Sequence, residues 1–443
     1  MTPTRRTHRS HGLAAALVAS SLLLSACSSG GTDDTTSEDT PAADGAVELV
    51  FDSWLPTMDP LQWPALYAAF QEENPDISIT FNRDEDFDAF KTQLDNKILA
   101  DEVPDIYGIQ VGSSFDDYAD YALDTSEYAS GWIDQLSEQA VAQTTTTDGT
   151  VAAVPILNAG MEYFLYNQTL MDEMGLTLPT TRDEVFAIAT QIRAAGLTPF
   201  AMGAADAWHD ADFFVWLSNQ YGSGGDIYKA AAGEIPWDSD TLVQAGQAWQ
   251  ELFTNGVFED AATTVNTYPM ARDDYFMARR AVFMPTGSWH VGAGLTISPE
   301  TPGTAVENDA LGMADCPPGG ERDAGVTAGV DFALAISASS TPEKQEAAAK
   351  FVEFMAVGEG QQMWADTLQG FPVAKDVTVH LDEGESDLAQ SSVDLVTETL
   401  LAAQYDRKLV SPGRDSLEND LGVVLQNIAD GADPATELAT LNQ

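Results

Sequence analysis

Between Val47 and Ile109 short apolar runs alternate with amphipathic stretches, and that alternation narrows the folds open to the chain. Val47-Glu48-Leu49-Val50-Phe51 reads as a buried strand, and Trp63, Leu66, Tyr67 and Phe70 follow at helical spacing until Asn74-Pro75 stops the helix. Ile77, Ile79 and Phe81 alternate as a second strand. Phe87, Phe90, Leu94 and Ile98 then line one face of a second helix that ends before Pro104, and Asp105 to Ile109 reads as a third strand. Neighbouring parallel strands need a crossover between them, so strand, helix, strand, helix, strand predicts a parallel sheet with helices packed on it. In such sheets ligands settle at the carboxyl ends of the strands.

The rhythm returns further on. Met161 to Tyr166 reads as a strand, Val185, Ile188, Ala189 and Ile192 as a helix face, and Thr198 to Gly203 as another strand, which makes a second α/β lobe. Helical patterns at 239–255 and 270–280 are followed by apolar strands at Ala281 to Met284 and Val330 to Ile336. Thr341-Pro342-Glu343 supplies an N-cap with Pro at the first helical position, and from there to Gln443 the pattern is nearly all helical. With 443 residues, 44% hydrophobic residues and nine Trp there is enough apolar material for two large lobes, which rules out acidic disorder. The 19 Lys and Arg against 70 Asp and Glu, a formal charge of -51, exclude a nucleic-acid ligand, because phosphate binding needs clustered cations.

Residues 1–26 carry Arg5, Arg6 and Arg9 ahead of the apolar run Leu13 to Leu24, too short to span a bilayer, and read as a signal peptide. Its end, Leu24-Ser25-Ala26-Cys27, resembles the lipobox of bacterial lipoproteins, where the Cys thiol takes the lipid. The Arg5-Arg6 pair lacks the flanking residues of a twin-arginine signal, so the export route stays open. Residues 27–46, with the Cys27 anchor and then small, acidic and turn-forming types, are a tether. These features place the protein on the outer face of the membrane. Cys316 is left as the one thiol of the folded part and needs no disulfide partner.

No Gly-rich loop carries a phosphate-binding Lys, and there is no Gly-x-Ser-x-Gly elbow. His209, His290 and His380 lie far apart with no second ligand at helical spacing, so neither a metal nor a cofactor is expected. Trp54, Trp208 and Trp289 sit at predicted strand ends or turns, with Asp52, Asp206, His209, Asp210 and His290 beside them. Indole faces match the C–H faces of pyranose rings, and carboxylates and amides bond the hydroxyls at the ring edge, a mixture suited to neutral sugars. Core packing is the competing reading for each Trp. Arg83, Arg322 and Arg414 lie near predicted loops and read as local ion-pair partners. With 70 acids, composition does not separate sugar binding from sugar hydrolysis.

Several ordered segments carry a family resemblance. They are the lipobox; Phe70 to Ile79 with Asn74-Pro75; Val103-Pro104-Asp105-Ile106; Val154-Pro155 with Tyr166-Asn167; and Gly175-Leu176 to Pro179-Thr180. Ala281 to Met284 then leads to Gly287-Ser288-Trp289, Ala335-Ile336-Ser337 to Thr341-Pro342-Glu343-Lys344, and Gly370-Phe371-Pro372-Val373 closes the series. Over about 47–443 the chain resembles the solute-binding proteins of bacterial ATP-binding-cassette sugar importers, of the maltodextrin-binding type.

The resemblance implies two α/β lobes, each a mainly parallel sheet flanked by helices, joined by hinge strands. Crossings near Val154-Pro155, Met284-Pro285 and Ser337 give lobe one as 47–154 and 285–336, and lobe two as 155–284 and 337–443. Carried over by position, Trp54, Gln110 to Ser113 and Gly329-Val330-Asp331 would line the cleft from lobe one. Asp206, Trp208 and Arg414 would line it from lobe two, with Trp289 near the hinge. The segment Gly108 to Ser114 lacks the aromatic often found after the third strand of the family.

A monomer of this kind captures a sugar between its lobes and hands it to the permease subunits of the importer. Two alternatives from other classes are a surface-anchored glycoside hydrolase with an Asp/Glu pair, and a binder of another solute such as a polyamine. The acid excess runs along the whole chain and reads as a solvated surface suited to high salt.

Overall fold

The computed structural model describes residues 46–54, 62–84, 87–112, 115–260, 262–296, 298, 300–368, 370–411, 413–414 and 416–442. The signal peptide, Cys27, most of the tether and Ser113 lie outside the described residues. Eleven strands appear among them. In chain order they are β1 (Val47–Ser53), β2 (Ile77–Arg83), β3 (Ile106–Ile109), β4 (Val154–Met161), β5 (Tyr163–Asn167), β6 (Thr198–Phe200), β7 (Ala281–Thr286), β8 (Leu311–Asp315), β9 (Thr327–Ile336), β10 (Phe371–Pro372) and β11 (Tyr405–Asp406).

The first sheet has the order β10-β4-β9-β3-β1-β2, with β11 added on β9, and the second the order β6-β7-β5-β8. The expected βαβαβ unit is present: β1 pairs in parallel with both β2 and β3, with helices Gln62–Glu73 and Phe87–Leu99 as crossovers. The two-lobed α/β architecture is the expected one, but the sheets are mixed rather than mainly parallel. β9 runs antiparallel to β3 and β4, and β5 runs antiparallel to β7 and β8.

Each sheet has its own core. In lobe one Phe351 closes on Phe70 at 5.2 Å and on Phe51 at 5.7 Å between ring centres. In lobe two Trp249 donates its indole N–H to the Leu425 carbonyl at 2.9 Å, in a core that joins helix Ala207–Ser218 to the C-terminal helix Leu417–Ala429. Fully burying one such large side chain contributes about 1.5–3 kcal/mol.

The boundaries between the lobes differ from those expected. β4 leaves the first sheet only at Met161, and β5 enters the second at Tyr163. After β7 the chain does not return to lobe one: β8 pairs with β5, and Met313 donates its N–H to Ser392 Oγ of helix Asp387–Ala402 at 3.0 Å. The return comes between β8 and β9. Helix Pro342–Ala356 then packs on lobe one, and the chain regains lobe two between β10 and helix Asp387–Ala402. Hence 285–315 belongs to lobe two, while 337–372 stays with lobe one. The physical reason is that periodicity identifies a strand or a helix face but carries no information on which sheet receives it.

Local signals fared better. Thr341 caps its helix by accepting the Lys344 N–H, with Pro342 in the first turn. The Pro104-Asp105 segment has a mechanical reason: Asp105 accepts from the Val50 N–H at 2.9 Å, from Ser340 Oγ at 2.6 Å and from Lys344 Nζ at 2.8 Å, tying β1 to the start of that helix. No helix among the described residues is long and apolar enough to cross a membrane.

Candidate functional site

Three aromatic residues gather on the lobe-two wall. Asp206 precedes helix Ala207–Ser218 and accepts the Tyr268 N–H at 2.7 Å, which draws the 268 segment over the start of that helix. The Trp208 ring then lies 5.0 Å from Tyr268 and 6.4 Å from Trp289. Trp289 donates its indole N–H to the Tyr268 hydroxyl at 2.7 Å, and that hydroxyl also bonds Thr286 Oγ1. Gly287 leaves room for the Trp289 ring, because a Cβ there would stand 2.1 Å from Trp289 Cζ3. Tyr268 itself is buried, while Trp208, Trp289 and Asp206 are half-buried.

The opposing wall comes from lobe one. Gln110, just beyond β3, donates from Nε2 to Asp331 Oδ1 of β9 at 2.8 Å. Gly329 sits half-buried one register step from the Val330 N–H, which donates to Gln143 Oε1 at 2.9 Å.

Between the walls runs the segment Tyr405 to Lys408. Arg407 donates from Nε to Asp212 Oδ2 at 3.0 Å on lobe two and from a terminal nitrogen to Asp331 Oδ1 on lobe one. Its guanidinium carbon lies 4.8 Å from the centre of the Trp289 ring. Lys408 Nζ meets Asp212 Oδ1 at 3.1 Å and Glu418 Oε2 at 3.5 Å. Burial opposes the Arg407 charge, but Asp212 and Asp331 outweigh it and hold the guanidinium pKa above its ordinary value. Burial likewise works against the Asp212 carboxylate, and Arg407 and Lys408 reverse it, leaving that pKa lowered. Glu162, next to this cluster, has both carboxyl oxygens buried without a partner among the described residues. Its pKa is driven well up by burial and then by the Asp212 charge.

The structure thus brings Asp206, Trp208 and Trp289 together on one wall and Gln110 with Asp331 on the other. Trp54, expected on the cleft wall, lies instead in the lobe-one core at 7% exposure, edge-on to Phe87 at 4.8 Å and to Phe332 at 5.3 Å. A strand end does not disclose which face its last side chain takes, and Gly108 leaves the room: a Cβ there would stand 2.9 Å from Trp54 Cζ3. Arg414, also expected in the cleft, donates to the Leu441 carbonyl at 2.8 Å and ties down the C-terminus. Arg322 donates to the Asn219 carbonyl at 2.7 Å and to the Tyr405 hydroxyl at 2.5 Å.

Of the polar residues beside the Trp positions, Asp52 is buried with Lys97 and Asn82. His290 faces Glu300 at 2.7 Å, and His209 and Asp210 are wholly buried. Sequence reasoning missed Tyr268 and Arg407. The signal for Arg407 was available in Arg407-Lys408, two adjacent cations in so acidic a chain. Among the described residues no group of three or more His, Cys, Asp or Glu is placed to hold a metal.

The sequence profile of a family described as bacterial extracellular solute-binding protein matches residues 65–389. A relative named multiple sugar-binding protein, from Streptococcus mutans serotype c, is 26% identical over 314 residues, which is 69% of this chain and 70% of that protein. Among solved structures, one titled for xylan utilization by the thermophilic bacterium Caldanaerobius polysaccharolyticus superimposes with a TM-score of 0.74 at 20% identity, over 90% of this chain and 99% of that one. Another, titled maltose bound T. maritima MalE3, gives a TM-score of 0.70 at 20% identity, over 89% and 98%. Two lobes, a partly exposed aromatic wall, a polar wall opposite and a profile match over most of the length agree: this chain belongs to the bacterial extracellular solute-binding proteins.

Proposed function

We propose that this protein captures a neutral mono- or oligosaccharide between its lobes and presents it to the permease of an ATP-binding-cassette importer, held to the outer face of the membrane by a lipid on Cys27. The observation that carries the reading is the Trp208–Tyr268–Trp289 cluster, whose half-buried indoles stand on one wall while Gln110 and Asp331 stand on the other. Indoles supply the flat apolar surface and the amide and carboxylates supply ring-edge partners. The relative named for multiple sugars and the neighbour with maltose bound support the same solute class.

A ligand that touches both walls only in the closed form shifts the open–closed equilibrium by its differential affinity, and the closed form is what a permease would recognise. Binding without hydrolysis is the reading for the carboxylates. The family description and the relative named for sugar binding are those of binding proteins and support that reading.

Melting temperatures of the purified chain, measured with maltose, xylobiose, xylotriose, raffinose and galactose and with spermidine as a control, test the proposal. A rise with one or more sugars and none with spermidine is expected. A rise with spermidine alone would remove the carbohydrate assignment, and reducing-end release over hours would replace binding by hydrolysis.

A further inference from the structure

Arg407 is an expensive residue to bury. Its side chain is 5% exposed, and an ion withdrawn from water is destabilising unless its partners return what desolvation costs. Asp212, at 1% exposure on lobe two, receives both Nε at 3.0 Å and a terminal nitrogen at 2.9 Å on the single oxygen Oδ2. Lys408 holds the other oxygen of Asp212 at 3.1 Å and meets Glu418 at 3.5 Å, so two carboxylates already match the two cations without Asp331. The remaining terminal nitrogen nevertheless binds Asp331, which lies on the strand beside its own backbone, is 25% exposed and shares its Oδ1 with Gln110 at 2.8 Å. The guanidinium plane is fixed by these contacts and places its carbon 4.8 Å from the Trp289 ring centre. The backbone is fixed too: the Arg407 N–H donates to the Ala328 carbonyl at 3.1 Å at the start of β9.

Within the sugar-binding reading given above, on which this step rests, we infer that Arg407 is a positioning residue that sets two ligand-facing groups in register across the cleft: the Trp289 indole on one wall and the Asp331 carboxylate on the other. It does so through its planar fork and without being a ligand contact itself. An ammonium is a point charge with no plane to stack, so lysine reproduces the charge but not the geometry.

The test compares the parent with R407M, R407K, D331N and R407M/D331N by calorimetric titration with maltose, xylotriose and raffinose. It adds the Trp289 emission of the ligand-free protein, isolated as the difference from W289F in each background. R407M is expected to weaken sugar binding about tenfold or more and to shift the Trp289 emission. The double variant should bind no more weakly than R407M alone, because coupled residues do not add. R407K should restore part of both readouts.

Effects of R407M and D331N that simply multiply, or a Trp289 emission the same in R407M as in the parent, would overturn the inference. If R407M fails to fold because Asp212 keeps Lys408 as its single cation, R407M/D212N removes both charges of the lost pair and the same comparisons apply. If the parent binds none of the sugars, the carbohydrate reading fails by itself. The positioning role is then judged on the Trp289 emission and on the coupling of R407M and D331N in melting temperature, and absence of both sinks it.

Discussion

Trp289 and Tyr268 meet through an indole N–H to hydroxyl bond of 2.7 Å, so a half-buried ring is steered by a buried one. Tyr268 in turn is held by the Asp206 carboxylate at its backbone N–H, 2.7 Å away. The aromatic wall is therefore one packed unit: Tyr268 and Trp289 are hydrogen-bonded and Trp208 leans on both rings. Tyr268→Phe removes the acceptor while keeping the ring, and leaves the Trp289 donor unmatched at a cost of about 1–3 kcal/mol. Denaturant unfolding should show that loss, and sugar titration a weaker affinity from a less constrained Trp289.

Trp208→Ala and Trp289→Ala are expected to weaken glycan binding about tenfold each, the equivalent of roughly 1.4 kcal/mol for a stacking contact. Trp54→Ala should behave differently. Its ring belongs to the lobe-one core, so the cost falls on stability, about 3–5 kcal/mol, while the affinity of the folded fraction stays near the parent value. Calorimetric titration and unfolding of the three variants side by side separate the roles.

His209 gives a pH dependence with a defined sign. Burial lowers its pKa from the ordinary 6.5 to about 4, so the folded state holds it neutral. Between those values the unfolded chain binds more protons than the folded one. Stability therefore rises with pH across that window and is lost as pH falls through it, by roughly 3 kcal/mol at full extent. The difference in unfolding free energy between parent and His209→Gln, followed from pH 7 to pH 4, cancels the other titrating groups. It should change by about that amount, the parent losing more on acidification.

The formal charge of -51 predicts strong self-repulsion at low ionic strength. The Debye length falls from about 10 Å at 0.1 M salt to about 3 Å at 1 M. The melting temperature should therefore climb with added KCl in the ligand-free protein, and scanning calorimetry across that range measures it. A flat response would mean that the acids stand too far apart to repel one another through 0.1 M salt.

Cys27→Ser in the full chain should move the protein from the membrane fraction to the culture medium and abolish labelling by an alkyne fatty acid. Retention with undiminished labelling would put the anchor elsewhere.

Much of the fold was legible because local physics fixed it. The period-2 and period-3.6 patterns from Val47 to Ile109 became β1, β2, β3 and their crossover helices. The Thr341-Pro342 start became a capped helix. What stayed hidden was pairing at a distance. Leu311 to Asp315 and Thr327 to Ile336 are both strands, and nothing in either run says that the first joins β5 and the second β4. The site divided in the same way. Asp206, Trp208 and Trp289 stood out at predicted strand ends or turns, whereas Arg407 is held by Asp212 and Asp331, 195 and 76 residues away. The burial of Trp54 depended on space left by a glycine on a neighbouring strand.

The lobe-two core is finished by the last helices: Leu417, Leu421, Leu425 and Leu438 cover apolar residues from the 207–258 region. A nascent chain halted at residue 400 would lack that cover, and its helix Ala207–Ser218 would show a bare hydrophobic flank to the solvent. Lobe two therefore closes its core only after residues 417–438 have emerged, whereas the lobe-one core is already supplied once Ala374 is made.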